Sequence, residues 1–148
     1  MDIRDKNVLV FGSGISGIAA SRLLLREGAD VILYDGNEKL DAETIKENIL
    51  HDEEHGVTLS GDVKVILGEL SKEVMESLVL TDLEVVNQMR EMGIPIWGEI
   101  ELAYVYGKGE VLAITGTNGK TTTTTLLGEI MKKYQEHVYV VGNIGNPY

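Results

Sequence analysis

The stretch NVLVFGSGISG, residues 7 to 17, decides the fold. Asn7–Phe11 is an apolar run ending at glycines, the pattern of a strand buried on both faces. Gly12, Gly14 and Gly17 match G-x-G-x-x-G. In that pattern the first glycine permits the tight turn and the second lets a phosphate reach the backbone. The third lets helix and strand pack closely. Beyond it, Ile15, Ile18, Ala19, Leu23 and Leu24 form a helical stripe over Ile15–Arg26, with Gly28 at the stop position. Val31–Tyr34 is the next apolar run and ends at Asp35-Gly36. The result is a strand–helix–strand unit of about thirty residues, one right-handed parallel crossover. Asp35 follows Gly14 by 21 positions, where an acid usually meets a ribose hydroxyl. Taken alone, this unit reads as an NAD-binding Rossmann domain, the plainer alternative being a structural glycine turn without a ligand. Which nucleotide binds stays open at this point.

Downstream, Asp41–Leu50 reads as a polar helix capped by Asp41, and Val63–Leu67 as a strand. Ser71 caps a helix to Glu76, and Ser77–Leu80 is a short strand. Thr81 and Glu84 form a capping box for a helix Asp82–Met92 that stops at Gly93. Ile94–Trp97 is a further strand, and a short helix begins at Glu99–Tyr104. The strand ending at Leu80 runs straight into Thr81, although such connections take about two to six residues. A lost loop is expected there.

Gly107-Lys108-Gly109 is the natural boundary, separating a domain 1–107 from a unit 108–148. The second unit reads as strand Val111–Thr115, a glycine loop, helix Thr121–Tyr134 and strand Val138–Val141. One such unit buries too little to stand as a domain, so most of a second α/β domain is expected to be missing after Tyr148. Its loop contains Gly116, Thr117, Asn118, Gly119, Lys120, Thr121 and Thr122, the end of a P-loop with tighter spacing. Backbone N–H groups there can cradle phosphate oxygens, Lys120 can neutralise a terminal phosphate, and the Thr121 hydroxyl can reach Mg²⁺. The standard first glycine would stand where this chain has Ile114. The five threonines Thr121–Thr125 would otherwise be a low-complexity accident, tolerable only in a first helical turn.

Composition narrows the function classes. The 148 residues carry a net charge of -11, which argues against nucleic acid, since a phosphate backbone is bound by Lys and Arg. From Asp35 to Glu110 there are 18 acids and 6 bases, so both glycine loops lie outside the acidic stretch. Without cysteine there is no disulfide, thiolate metal site or cysteine nucleophile. The N-terminus lacks a signal-peptide pattern, and no stretch has the length of a membrane span. A soluble, cytoplasmic protein is the expectation. His51-Asp-Glu-Glu54-His55 matches H-x-x-E-H literally, but lacks any apolar residue and reads as a solvated, acidic helix end before Gly56. Trp97 and the tyrosines read as packing residues, and Lys132-Lys133 as solvated charge near a helix end.

A dinucleotide-type loop followed by GTNGKTT is a rare pairing. With KNVLVFGSGISGIAA, the Asp35 strand end, GIPIWGEIELA at Gly93–Ala103, VLAITGTNGKTTTTTLLGEI and GNIGNP, the chain resembles the Mur ligase family. Within it, GSGISG combined with GEIEL resembles the members that add D-glutamate to UDP-N-acetylmuramoyl-L-alanine. That resemblance implies a Rossmann-like first domain holding UDP rather than NAD, with Gly14, Ile15 and Ser16 near the diphosphate and Asp35 and Gly36 near the uracil. It implies a central domain binding ATP·Mg²⁺: Gly119 and Lys120 on phosphates, Thr121 on the metal, Asn143 on the muramoyl substrate. Phosphorylation of the substrate carboxylate and attack by the D-glutamate amine would follow. Lys120 and Mg²⁺ would then supply fixed positive charge where the γ-phosphate gathers negative charge. The family's Ser-Pro-Gly loop after the fourth strand is absent at Leu80-Thr81. The central domain's metal-binding acid, histidine and modified lysine, and the domain for D-glutamate, are not in the chain.

An NAD-dependent oxidoreductase domain would explain only the first loop, and a P-loop kinase or GTPase only the second. A non-catalytic regulatory module or a sister Mur ligase of other amino-acid specificity are the remaining alternatives. The expected outcome of an ADP-release assay on this chain alone is no signal dependent on D-glutamate.

Overall fold

The computed structural model describes residues 2–53, 55–68, 91, 93 and 95–142. It divides into two compact units, Met1–Leu102 and Ala103–Tyr148. The division falls ahead of Gly107-Lys108-Gly109, inside a helix.

In the first unit the order is β1 (Asn7–Phe11), α1 (Ile15–Arg26), β2 (Asp30–Asp35), α2 (Ala42–Leu50), β3 (His51–Asp52), β4 (Val57–Thr58) and β5 (Val63–Leu67). The strands β1, β2 and β5 form one parallel sheet with β2 in the centre. The register aligns Val8, Val31 and Val63 across it, then Val10, Leu33 and Val65. Both crossover helices cover this face and touch one another. The core follows from that: Leu33, Val31, Val63 and Val10 meet Leu24, Leu25, Ile45 and Ile49, all buried. Each fully buried aliphatic side chain contributes about 1.5–3 kcal/mol.

The opposite face is less covered. Leu9 and Ile32 are half-buried there, Lys64 is exposed, and Phe11 retains 36% exposure. The expected burial of β1 on both faces is therefore corrected. A strand is buried twice only when a layer covers each face, and among the described residues α1 and α2 share one. Phe11 instead packs edge-on against Tyr34, with ring centroids 5.7 Å apart.

The ends of the helices are set locally. At α1, Gly28 at φ 85° lets its own N–H reach Leu25 O at 3.0 Å and the Ala29 N–H reach Leu24 O at 3.0 Å, a Schellman stop. At α2, the Asp41 carboxylate accepts from the Glu43 N–H at 3.1 Å and from the Thr44 hydroxyl at 2.9 Å.

The pentapeptide beginning at His51 is not the solvated helix end that its composition implied. His51 and Asp52 form β3, antiparallel to β4, and the Asp52 side chain is only 2% exposed. Arg22 and Arg26 of α1 reach its two carboxylate oxygens at 3.0 and 2.7 Å, and His55 Nδ1 lies 3.0 Å from it. An arginine pair one helical turn apart thus compensates the buried charge, which sequence periodicity cannot reveal.

In the second unit, α3 (Glu99–Tyr106) spans the division and α4 (Lys120–Met131) follows the second glycine loop. The expected strands Val111–Thr115 and Val138–Val141 do not form among the described residues. An apolar run becomes a strand only when a neighbouring backbone completes its hydrogen bonds, and Val111 and Leu112 remain exposed. Pro95–Trp97, from the expected strand Ile94–Trp97, likewise form none. The predicted Thr121–Tyr134 helix starts at Lys120 and ends at Met131. Lys133 and Tyr134 bond back three residues, to Ile130 O and Met131 O, tightening the last turn. The elements expected at Ser71–Glu76, Ser77–Leu80 and Asp82–Met92, and the Leu80-Thr81 junction, lie outside the described residues, Glu91 excepted.

Burial would raise the Asp52 pKa, but the hydrogen bond with His55 and the charges of Arg22, His55 and Arg26 outweigh it and hold it below the ordinary 3.8. A depressed carboxylate contributes stability above its unfolded pKa and loses it as pH falls through the folded value. Asp52→Asn is therefore expected to lower Tm at neutral pH, with the gap to the parent closing as the pH falls below about 4. Thermal melts across pH measure this, and a gap constant with pH would contradict it.

Candidate functional site

The first glycine loop joins β1 to α1 at the C-terminal end of the sheet. Gly12 has φ 83° and its N–H donates to Tyr34 O at 2.8 Å, tying the turn to β2. A Cβ on Gly17 would overlap the carbonyl oxygen of Gly12, so only glycine permits α1 to approach β1 this closely. Gly14 caps α1 with no side-chain hydrogen bond, and a Cβ there would meet nothing within 4 Å. Gly14, Ile15 and Ser16 are exposed, Ile15 at 72%. The first turn of a helix has N–H groups without intrahelical partners. These three residues therefore present donors to solvent, where an anion is favoured.

Asp35 and Gly36 stand beside that loop at the end of β2. Ser13 donates to Asp35 Oδ2 twice, from its N–H at 2.8 Å and its hydroxyl at 2.6 Å. The Asn37 N–H donates to Oδ1 at 3.0 Å. The Ser13 side chain, then its N–H, then that of Asn37 hold the Asp35 pKa below the ordinary value against slight desolvation. The sequence reading singled out Asp35 and missed Ser13. The available signal was a short hydroxyl side chain between the first two glycines.

The second loop stands in the second unit. Gly116 and Gly119 have φ of 150° and 78°, and Gly119 is the left-handed cap of α4, again without a side-chain bond. Thr117, Asn118, Lys120, Thr121 and Thr122 are all exposed. Lys120 Nζ donates to Gly116 O and, at 3.3 Å, to Thr117 O. Its ammonium thus rests on the carbonyls of its own loop with no carboxylate partner among the described residues. The Thr124 hydroxyl bonds back to Lys120 O at 2.8 Å, whereas Thr121 has no hydrogen-bond partner for its hydroxyl among the described residues. A free hydroxyl, an ammonium held only by neutral carbonyls and an uncapped helix start fit a polyphosphate with its divalent ion. Asn143 lies outside the described residues.

The two helix-start glycines of the first loop separate structure from binding. Gly17→Ala is expected to destabilise the chain by roughly 1–3 kcal/mol through overpacking against backbone, read by urea unfolding. Gly14→Ala is expected to leave the unfolding midpoint nearly unchanged while weakening nucleotide diphosphate binding. Equal destabilisation by both would remove the case for an open phosphate-facing position at Gly14.

Residues 114–148 match the Mur ligase middle domain. The whole chain aligns with UDP-N-acetylmuramoylalanine–D-glutamate ligases from Lachnospira eligens and Lachnoclostridium phytofermentans, 50% identical in each case. The alignments cover 100% of this chain and 33% of each relative. The ligase of that name from Alkaliphilus metalliredigens is 42% identical over the same shares. The chain thus spans about a third of the length of the curated relatives it matches. A short chain dehydrogenase from Mycobacterium smegmatis matches at TM-score 0.35 and 25% identity, over 63% of this chain and 35% of that one. A likeness of that size decides nothing about the ligand. The similarity runs along the full chain and includes both glycine loops, at 50% identity to about a third of each of two such ligases.

Proposed function

We propose that the protein adds D-glutamate to UDP-N-acetylmuramoyl-L-alanine at the expense of ATP, a step of peptidoglycan synthesis in the cytoplasm. The observation that carries this reading is the run of 50% identity over all 148 positions to ligases bearing that name. The geometry of the loops supports it independently. Residues 1–107 form the UDP-substrate domain, with the N–H groups at Gly14, Ile15 and Ser16 meeting the diphosphate and Asp35 and Gly36 meeting the base. Residues 108–148 open the ATP-binding domain. Among the described residues, no helix is long and apolar enough to cross a membrane.

Gly116–Thr122 would hold ATP with Mg²⁺, which supplies the phosphoryl group that activates the substrate carboxylate. The loop backbone orients the phosphates through its N–H groups. Lys120 exchanges its contacts with Gly116 O and Thr117 O for the terminal phosphate, where its charge is worth most as negative charge develops. Thr121 offers its hydroxyl to the metal, and Asn143 is assigned to the muramoyl substrate.

An NAD-dependent dehydrogenase would account for Gly12–Gly17 and Asp35 but leaves Lys120 and its loop without a role. Calorimetric titration of the chain with UDP-N-acetylmuramoyl-L-alanine and, separately, with NADH distinguishes the two. Saturable binding of the former and none of the latter is expected; tight NADH binding with no response to the UDP compound would overturn the reading.

A further inference from the structure

Asp35 makes more use of its carboxylate than a ligand contact alone requires. Oδ2 takes both donors of Ser13, at 2.8 and 2.6 Å, and Oδ1 takes the Asn37 N–H at 3.0 Å. An ionised carboxylate has about four lone-pair positions and no donor. Three are occupied within the chain, and the remaining one is on Oδ1, beside the exposed Gly36. No ion pair among the described residues involves Asp35. Its neighbours are neutral donors, and Glu38, the nearest acid on its loop, packs against Gly68.

We infer that Ser13 is a positioning residue: its hydroxyl locks Asp35 so that Oδ1 presents one acceptor to an N–H or O–H of the nucleoside part of the ligand. The G-x-G turn itself does not require serine at its middle position. Alanine would retain the backbone N–H bond and lose only the hydroxyl bond, so the hydroxyl's contribution can be isolated. A carboxylate pinned in this way accepts from an N–H or O–H donor and repels a phosphate at the same place. Nucleosides carrying a ribose phosphate near this end are excluded, whereas an imide N–H or a free ribose hydroxyl is accepted. The identity of the ligand as a uridine diphosphate rests on the function proposed above; the coupling of Ser13 to Asp35 does not.

The test uses the 148-residue chain and its Ser13→Ala and Ser13→Thr variants, with UDP as the probe. Carbon-detected NMR follows the Asp35 carboxyl through its titration without ligand. In S13A the Asp35 pKa is expected to rise towards the ordinary value while remaining below it, because the Ser13 backbone N–H still donates. UDP affinity at pH 7 should fall about three- to tenfold, and the acid loss of UDP binding should move to higher pH. S13T, which keeps the hydroxyl, should restore all three. A global loss of packing would not shift one carboxyl titration or be rescued by threonine. An Asp35 titration unchanged by S13A overturns the inference, as does unchanged UDP affinity with the titration shifted. If the parent chain binds no UDP, the uridine reading of the site fails, and the Asp35 titration alone decides the role of Ser13.

Discussion

The close approach of α1 to β1 at Gly17 is the constraint on which the first unit depends. With no Cβ in the way of the Gly12 carbonyl, the helix start can lie directly above the end of the sheet. That places the free N–H groups of α1 beside the end of β2, because the Gly12 N–H is bonded to Tyr34 O. A larger residue at 17 would tilt the helix away and separate the free N–H groups of the helix start from Asp35. The one-sided core then holds the arrangement: Leu24 and Leu25 of α1 are buried against a face containing Val31 and Leu33.

Charge is handled differently at the two carboxylates that matter here. Asp52 is buried and compensated by Arg22, Arg26 and His55, a fastening between α1 and the β3–β4 hairpin. Removing one partner of such a group leaves an uncompensated charge, the costly case for a buried ion. Asp35, partly exposed, is compensated by neutral donors only, so its charge remains available to a ligand. Both are acids in the acidic part of the chain, and only their surroundings separate a buried, ion-paired carboxylate from a partly exposed one held by neutral donors.

The glycine loops differ in what they rest on. The first is seated on three paired strands. The second opens α4 in a unit whose flanking apolar runs form no strands among the described residues. Its local chemistry survives nonetheless, because a left-handed Gly119 and an exposed Lys120 need only the helix start. Val140 lies against Gly128, so the segment after the helix still packs on it without strand pairing.

The sequence by itself determined the local features: β1, α1 and β5 at their observed bounds, the Gly28 stop, the Asp41 cap and both glycine loops. Each of these depends on residues within a few positions, through backbone conformation, capping or apolar period. Tertiary structure decided what depended on distant neighbours. It buried Asp52 between residues some 26 to 30 positions away, left one sheet face half-covered, and withheld strands from Val111–Thr115 and Val138–Val141. It also joined Ser13 to Asp35 across 22 positions. A strand exists only through its partner and a charge is tolerated only through its surroundings, and neither is written in the order of nearby residues.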